Sequence, residues 1–424
     1  MKTKAVRLYG KKDLRMEELE LPPIKEDEIL AKVISDSICM SSYKAATQGI
    51  DHKRVPDNAA EEPVMIGHEF AGVLVEVGKK WKDKFKEGQK FSIQPALNYE
   101  GGPVGILSAP GYSYQYIGGD SQYIIIPAEV MEQDCLLAYE GEGFYPASLA
   151  EPLSCVIGAM HANYHRKPGT YVHEMDIREG GNMAILAGAG PMGLAAINYV
   201  LNRTHTRPGK LVVTDIDQKR LDRAAGIYSV EMAAKNNIEL IYLDTSKLND
   251  PKGKLLELTG QKGFDDVFVY APVPVVIELG DAILAEDGCL NFFAGPSNPY
   301  FKASLNFYNV HYKSTHITGT SGGNNDDLRE ALDYLSQGLD PAGLVTHIGG
   351  LDAVTDTTLR LPEIPGGKKL IYTHATMPLT AIDDFAKLGE KDPLFAELAK
   401  LVEKNKGLWS VEAEKYLLEH ATCI

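Results

Sequence analysis

The sequence predicts an α/β protein in two parts, a β-rich part and a doubly wound parallel-sheet domain, followed by a helical C-terminal extension. Three observations carry this. The first is the run 183–220, MAILAGAGPMGLAAINYVLNRTHTRPGKLVVTDIDQKR. It opens with an apolar stretch, 183–187, of the kind a buried parallel strand needs on both faces. Gly188-Ala189-Gly190-Pro191-Met192-Gly193 then fits G-x-G-x-x-G and leads into a helix-forming segment. Such glycines let the backbone approach a pyrophosphate, and the helix offers that anion its free N–H groups. A second strand, 211–214, ends at Asp215, 22 positions after Gly193, where a carboxylate can hold a ribose 2′-OH. The glycine pattern alone is weak, because it also closes ordinary strand–helix joints. Strand, glycines, helix, strand and acid in this order make a dinucleotide site.

The second observation is alternation. Strands near 183, 211, 239, 265 and 289 are separated by helical patterns at 218–227, 252–258 and 274–284, which implies a parallel sheet. Residues 316–320 fit a sixth strand and 326–336 a helix after it. The third is the β character of the first 150 residues, with strand patterns at 3–8, 17–21, 28–34, 65–78, 85–95 and 122–127. Between them lie a polar, loop-like stretch, 48–62, and a glycine- and tyrosine-rich segment, 98–119. The latter is too long for a simple connection and is expected to cover a site. Helical character begins at 146–161, short strands return over 343–375, and an amphipathic helical tail follows Pro378. The expected organisation is 1–155 β-rich, 156–338 dinucleotide-binding, 339–376 returning to the first domain, and 377–424 helical.

Composition bounds the function. The chain has 424 residues, 44% apolar and 24% charged, with a net charge of −15. This is an ordinary globular composition. The charge argues against nucleic acid as the main partner and requires a locally basic pocket for any anionic substrate. No apolar leader and no membrane-length run is present, so a cytoplasmic protein without membrane contact is expected. Five scattered cysteines (39, 135, 155, 289 and 423) form no disulfide framework.

Cys39, His68, Glu69 and Glu151 are the reactive-looking residues of the β-rich part. Each alone is bland: a lone cysteine is usually a small buried hydrophobe. Together a thiolate, an imidazole and a carboxylate are what a catalytic zinc takes, with one position left open.

At these residues the chain resembles the zinc-dependent medium-chain dehydrogenase/reductase family. The matching pieces are Cys39-x-Ser41, Gly67-His68-Glu69, Glu151-Pro-Leu and Gly188-x-Gly190-x-x-Gly193, and Glu-Pro-Leu resembles the polyol-dehydrogenase branch. The resemblance implies a GroES-like catalytic domain, a Rossmann domain, and a homo-oligomer, dimer or tetramer. By it Cys39 and His68 bind zinc directly, with Glu69 and Glu151 completing the shell directly or through water. Ser41 starts the proton relay, and Asp215 and Arg220 hold the adenosine ribose. The implied reaction passes a hydride between a nicotinamide cofactor and a ketose phosphate/hexitol phosphate pair, L-sorbose 1-phosphate and D-glucitol 6-phosphate.

Two departures matter. Residues 95–122 contain no cysteine, so the four-cysteine structural-zinc lobe of many members is missing and one catalytic zinc per chain is expected. Lys44 stands where a relay histidine often lies. It either shuttles the proton or stays charged and attracts an anion; a merely solvated lysine is an equal alternative. Asp215 favours NAD, since its charge repels a 2′-phosphate, while Lys219 and Arg220 leave NADP open. For the substrate phosphate the best basic cluster is His52-Lys53-Arg54 with Lys44, against the bland reading of a solvated charge run. Two other functions stay open: oxidation of a free polyol or threonine-like secondary alcohol, and non-catalytic nucleotide binding.

Overall fold

The computed structural model describes residues 1–424. The apolar runs of the second part form one six-stranded parallel sheet. Its order is Glu239–Asp244, Lys210–Asp215, Asn182–Leu186, Phe264–Val269, Leu284–Phe292, His316–Thr318. From Asn182–Leu186 the chain first builds outward on one side, then crosses to build on the other. The crevice at that reversal is where doubly wound sheets bind ligands. Met183, Ala184, Ile185 and Leu186 are all fully buried, as expected of a strand covered on both faces.

The chain divides into two compact units, Met1–Glu151 with Asn324–Ile424, and Pro152–Gly323. In the first, the strand Ile29–Ile38 is central. It pairs antiparallel with Phe70–Val77, Tyr123–Ile126 and Lys368–Tyr372 within an eight-stranded sheet. All of its residues but Lys32 are buried. The registers bring three strand ends together. Ile38 faces Lys369, so one step on Cys39 faces Lys368, and Ser37 N–H donates to Glu69 O at 3.0 Å.

Several expectations are corrected. The helix Asn325–Ser336, expected in the dinucleotide-binding part, groups by its contacts with the first compact unit. Its N-terminus is held there by Asn325 Nδ2, which donates to Gln133 O at 2.8 Å, and by Gln94 Nε2, which donates to Asn324 O at 2.9 Å. Within the expected short strands of 343–375, Val354–Leu359 is a helix packed against Met40–Gln48. Tertiary packing there overrides the strand preference of Val and Thr. A two-stranded hairpin, Tyr164–Arg166 with His173–Met175, went unread because its second strand is exposed throughout and carries no alternation. The tail holds a two-residue strand, Thr380–Ala381, then the helices Phe385–Leu388, Pro393–Lys404 and Val411–His420. Pro393–Lys404 starts with Asp392 as N-cap and buries Phe395, Leu398 and Val402, one helical stripe. No helix is long and apolar enough to cross a membrane.

Candidate active site

Cys39 directly follows the central strand and is the N-cap residue of the helix Met40–Gln48. His68 and Glu69 lie in the turn before the strand Phe70–Val77. That turn needs Gly67, whose φ of +91° is left-handed, and a Cβ on it would come within 2.5 Å of Asp120 N. Gly119 N–H donates to Gly67 O at 2.7 Å and Asp120 N–H to Ile66 O at 2.9 Å. The glycine- and tyrosine-rich segment is thereby tied over the turn. One donor atom from each of Cys39, His68 and Glu69 falls within 4.8 Å of the others.

The surroundings suit a divalent metal. Ser42 Oγ lies 3.2 Å from His68 Nδ1, while Nε2 faces Ser41 Oγ at 3.2 Å and Tyr112 OH at 3.3 Å. With Nδ1 protonated toward Ser42, Nε2 is left as the acceptor nitrogen, and it lies 3.2 Å from the same Ser41 Oγ that donates to Cys39 Sγ. Burial pushes His68 down to about 4, so the ring is neutral at neutral pH, the form a metal takes. Burial and then the Glu69 charge push the Cys39 thiol up to about 12. A thiolate there requires a cation beside it.

Glu69 is 1% exposed and stays ionised. Burial, the largest influence, works to raise it, but the adjacent Lys368 ammonium together with His68 and the hydrogen bonds from Lys368 and Ser37 lowers it overall. Lys368 Nζ lies 2.5 Å from both Glu69 oxygens. Lys368 is itself buried; desolvation opposes its charge, and Glu69 together with Cys39 and Glu151 more than offsets this.

Glu151 sits in the first turn of Ala150–His161, half-buried. It is not within the three-donor cluster, yet its charge acts on Cys39, Tyr112 and Lys368. Ser41 and Lys44 lie three residues apart on one face of the helix Met40–Gln48, and Ser41 Oγ donates to Cys39 Sγ at 3.1 Å.

The basic cluster is brought to this site by Tyr112. Its ring lies 4.8 Å from the His68 ring and 5.9 Å, stacked, from His52. The Arg54 guanidinium lies 5.7 Å from the same ring and donates to Leu107 O at 3.1 Å. Burial and then the Arg54, Lys53 and Lys44 charges push His52 down to about 4. Lys53 itself is exposed. Tyr112, Ser42 and Lys368 were missed at the sequence level. Only Tyr112 left a trace, in the over-long loop.

In the unit Pro152–Gly323 the three glycines of the turn do two different things. A Cβ on Gly188 would meet Ile185 Cγ2 at 2.4 Å, and one on Gly193 would meet Gly188 O at 2.0 Å. Both serve packing. A Cβ on Gly190 meets nothing within 4 Å, so the space beside this N-cap of Pro191–Asn202 is open to a ligand. Pro191 fills the first helical turn, with Met192 half-buried behind it. Asp215 Oδ2 accepts from Ala189 N at 3.1 Å, and Oδ1 accepts from Ile216 N at 2.8 Å. The acid therefore braces the glycine turn. Asp217 caps Gln218–Ile227 through Lys219 N and Arg220 N, and the exposed Arg220 pairs with Asp217 at 3.7 Å.

Comparison with known proteins gives concordant matches. An alcohol dehydrogenase GroES-like domain matches residues 25–133 and a zinc-binding dehydrogenase domain residues 191–337. The chain is 51% identical to a mannitol-1-phosphate 5-dehydrogenase of Aliivibrio fischeri, over 98% of this chain and 97% of that one. It is 49% identical to an L-sorbose 1-phosphate reductase of Klebsiella pneumoniae, over 99% and 98%. The crystal structure of 2R,3R-butanediol dehydrogenase from Bacillus subtilis superposes with a TM-score of 0.69 at 23% identity, covering 88% of this chain and 99% of that chain. With these matches and the site above, the chain belongs to the zinc-dependent medium-chain dehydrogenase/reductase family and is an oxidoreductase of its alcohol and polyol dehydrogenase kind.

Proposed function

We propose that this enzyme interconverts a ketose phosphate and a hexitol phosphate, with L-sorbose 1-phosphate and D-glucitol 6-phosphate as the pair. The observation that carries this is the stack His68–Tyr112–His52/Arg54, which sets a cationic group one aromatic ring away from a metal-ligand histidine. A protein of net charge −15 cannot recruit a phosphorylated sugar by long-range attraction, so a local cationic pocket must do it. Lys44, Lys53 and Arg54 with His52 supply that pocket. The two relatives named for sugar phosphates, both near 50% identical, support the same class.

Cys39 and His68 hold one zinc directly, with Glu69 and Glu151 completing the shell directly or through water. The donor set fits a catalytic site with an open position, and a single equivalent is expected because the cysteine lobe is missing. When bound, zinc supplies the Lewis acid for the carbonyl and NAD(H) the hydride. Ser41, beside Cys39 Sγ and His68 Nε2, gives the substrate alkoxide its proton in reduction and takes it in oxidation. Lys44, one turn along the helix, is the next group able to pass that proton or to meet the phosphate. Tyr112 covers the His68 ring and limits water at the ligand face. Asp215 and Arg220 frame the adenosine ribose, and the carboxylate favours NAD over NADP.

The names of the two relatives set the discriminating experiment. In the sorbose pair the phosphate is one carbon from the reacting carbon; in mannitol 1-phosphate oxidised at C5 it is four carbons away. Turnover of both pairs and of free sorbitol should be measured, with wild type and Arg54→Ala. One charge-assisted hydrogen bond contributes roughly 1.5–3 kcal/mol, so Arg54→Ala should raise KM for L-sorbose 1-phosphate about tenfold. The free sugar should hardly change. Equal turnover of free and phosphorylated substrates would sink the phosphate reading; preference for mannitol 1-phosphate would move the assignment to that pair.

A further inference from the structure

The zinc-binding dehydrogenase match ends at residue 337, and the helices of 385–420 lie beyond it with no role assigned. They are nonetheless wired to the metal site. Glu414, on the last helix Val411–His420, is fully buried. Phe144 N–H donates to its Oε2 at 2.6 Å, and Tyr145 N–H to its Oε1 at 2.8 Å. The turn runs so close that a Cβ on Gly143 would meet Glu414 Oε2 at 2.6 Å. Those amides open the turn Tyr145–Ser148, whose first carbonyl accepts from Leu149 N at 3.1 Å. Leu149 is fully buried in one core with Trp409, Ala413 and Leu417 of the extension, and Glu151 follows two residues later.

The same carboxylate reaches a second strand. Tyr372 OH donates to Glu414 Oε1 at 2.9 Å and accepts from Trp409 Nε1 at 2.8 Å. Tyr372 ends the strand Lys368–Tyr372, whose first residue holds Glu69. One buried carboxylate thus ties together the segment that presents Glu151 and the strand that presents Lys368.

We propose that Glu414 is a positioning residue for the metal centre, and that the C-terminal helices act as the outer scaffold fixing the Glu151 and Glu69–Lys368 carboxylates. This rests on the proposed zinc shell but not on the substrate. A buried carboxylate is a poor way to add bulk stability, because its desolvation opposes folding. Its use here is geometric. Burial pushes the Glu414 carboxyl up to about 7, but three donors converge on it from two segments, so neither can shift without breaking a hydrogen bond to it.

The test compares full-length Glu414→Gln with Leu398→Ala, a fully buried residue of the same core with no polar link to either segment. Zinc affinity is read by chelator competition without substrate, alongside kcat, dinucleotide KM and Tm. Supporting contacts behind metal ligands typically carry 10- to 100-fold in affinity or activity. Glu414→Gln should therefore weaken zinc binding about tenfold and lower kcat, with dinucleotide KM unchanged, whereas Leu398→Ala should lower Tm only. Tyr372→Phe, which removes one hydroxyl, should weaken zinc binding by a smaller factor and serves if Glu414→Gln does not fold. Equal zinc affinity in these polar variants and Leu398→Ala overturns the proposal. Retention of zinc by Cys39→Ala would instead show that the metal shell itself was misassigned.

Discussion

In the unit Pro152–Gly323 the groups that would meet a dinucleotide come from one stretch, 188–220, and several are backbone atoms. In the unit containing the β-rich sheet they are side chains from 39, 41, 68, 69, 112, 151 and 368. The first site works by leaving things out, as at Gly190, where no Cβ fills the ligand space. The second works by forcing unlike groups together: a half-buried thiol with a neutral imidazole, an ionised glutamate and an ammonium that are shielded from water. The difference teaches where each site is fragile. A steric error breaks the first, and an uncompensated charge breaks the second.

The sharpest break is expected at Cys39. Cys39→Ala removes one of the two proposed direct donors, and zinc should be lost with it. Losing a Lewis acid worth several kcal/mol implies a fall of about a thousandfold or more in kcat/KM. Metal content by elemental analysis and initial rates check this together. Two tightly held zinc equivalents per wild-type chain would contradict the single-site reading.

Next in size is Lys368→Met. Removing one partner of a buried ion pair strands the other charge, which costs about 3–5 kcal/mol. Denaturant unfolding should report that loss, and zinc affinity should fall as Glu69 loses its anchor. A loss below about 1 kcal/mol would mean that Glu69 finds another partner or takes up a proton. The contrast would then be less one of charge than of packing.

The glycines sharpen the other side. Gly193→Ala must push backbone, since the new Cβ would lie 2.0 Å from Gly188 O, and a strain of roughly 1–3 kcal/mol should lower Tm. Gly190→Ala meets nothing. It should leave Tm unchanged and weaken dinucleotide binding about tenfold, roughly 1.4 kcal/mol. If the two variants behave alike, the division between packing and ligand-facing glycines fails.

The two sites also differ in how far the sequence reveals them. Asp215 could be read because its distance from Gly193 is set by one strand–helix–strand unit, a local rule. Lys368 could not, because its partner Glu69 is 299 residues away and nothing in GGKKLIY distinguishes a buried lysine from an exposed one. Tyr112 was half-visible: the loop that holds it is too long to be idle, but which tyrosine packs against His68 depends on the Gly67–Gly119 ladder. The six strands of the parallel sheet were legible from apolar runs. The helix Val354–Leu359 was not, because Val and Thr report a preference that neighbouring packing overrules. Assignment of Asn325–Ser336 to the first unit hangs on contacts with Gln133 and Gln94, far away in sequence.

The smallest expected effect concerns Asp215, and it tests whether this acid belongs wholly to the dinucleotide site. Its carboxylate accepts from Ala189, Ile216 and Asp217 N–H groups, so Asp215→Ala would leave buried donors unpaired and confuse a loss of fold with a loss of cofactor. Asp215→Asn is the cleaner change, because the amide keeps one acceptor oxygen and removes the charge. Without that charge a 2′-phosphate meets less repulsion, and Lys219 and Arg220 lie on the following helix, within reach of it. One partly screened charge is worth roughly 1 kcal/mol at such range, or about fivefold. The ratio of kcat/KM for NADPH to that for NADH should therefore rise about fivefold in Asp215→Asn, with kcat for NADH little changed. A wild-type enzyme that already prefers NADPH strongly would reverse the cofactor assignment. An unchanged ratio in the variant would mean that Asp215 acts only as the brace of the glycine turn, leaving discrimination to groups beyond it.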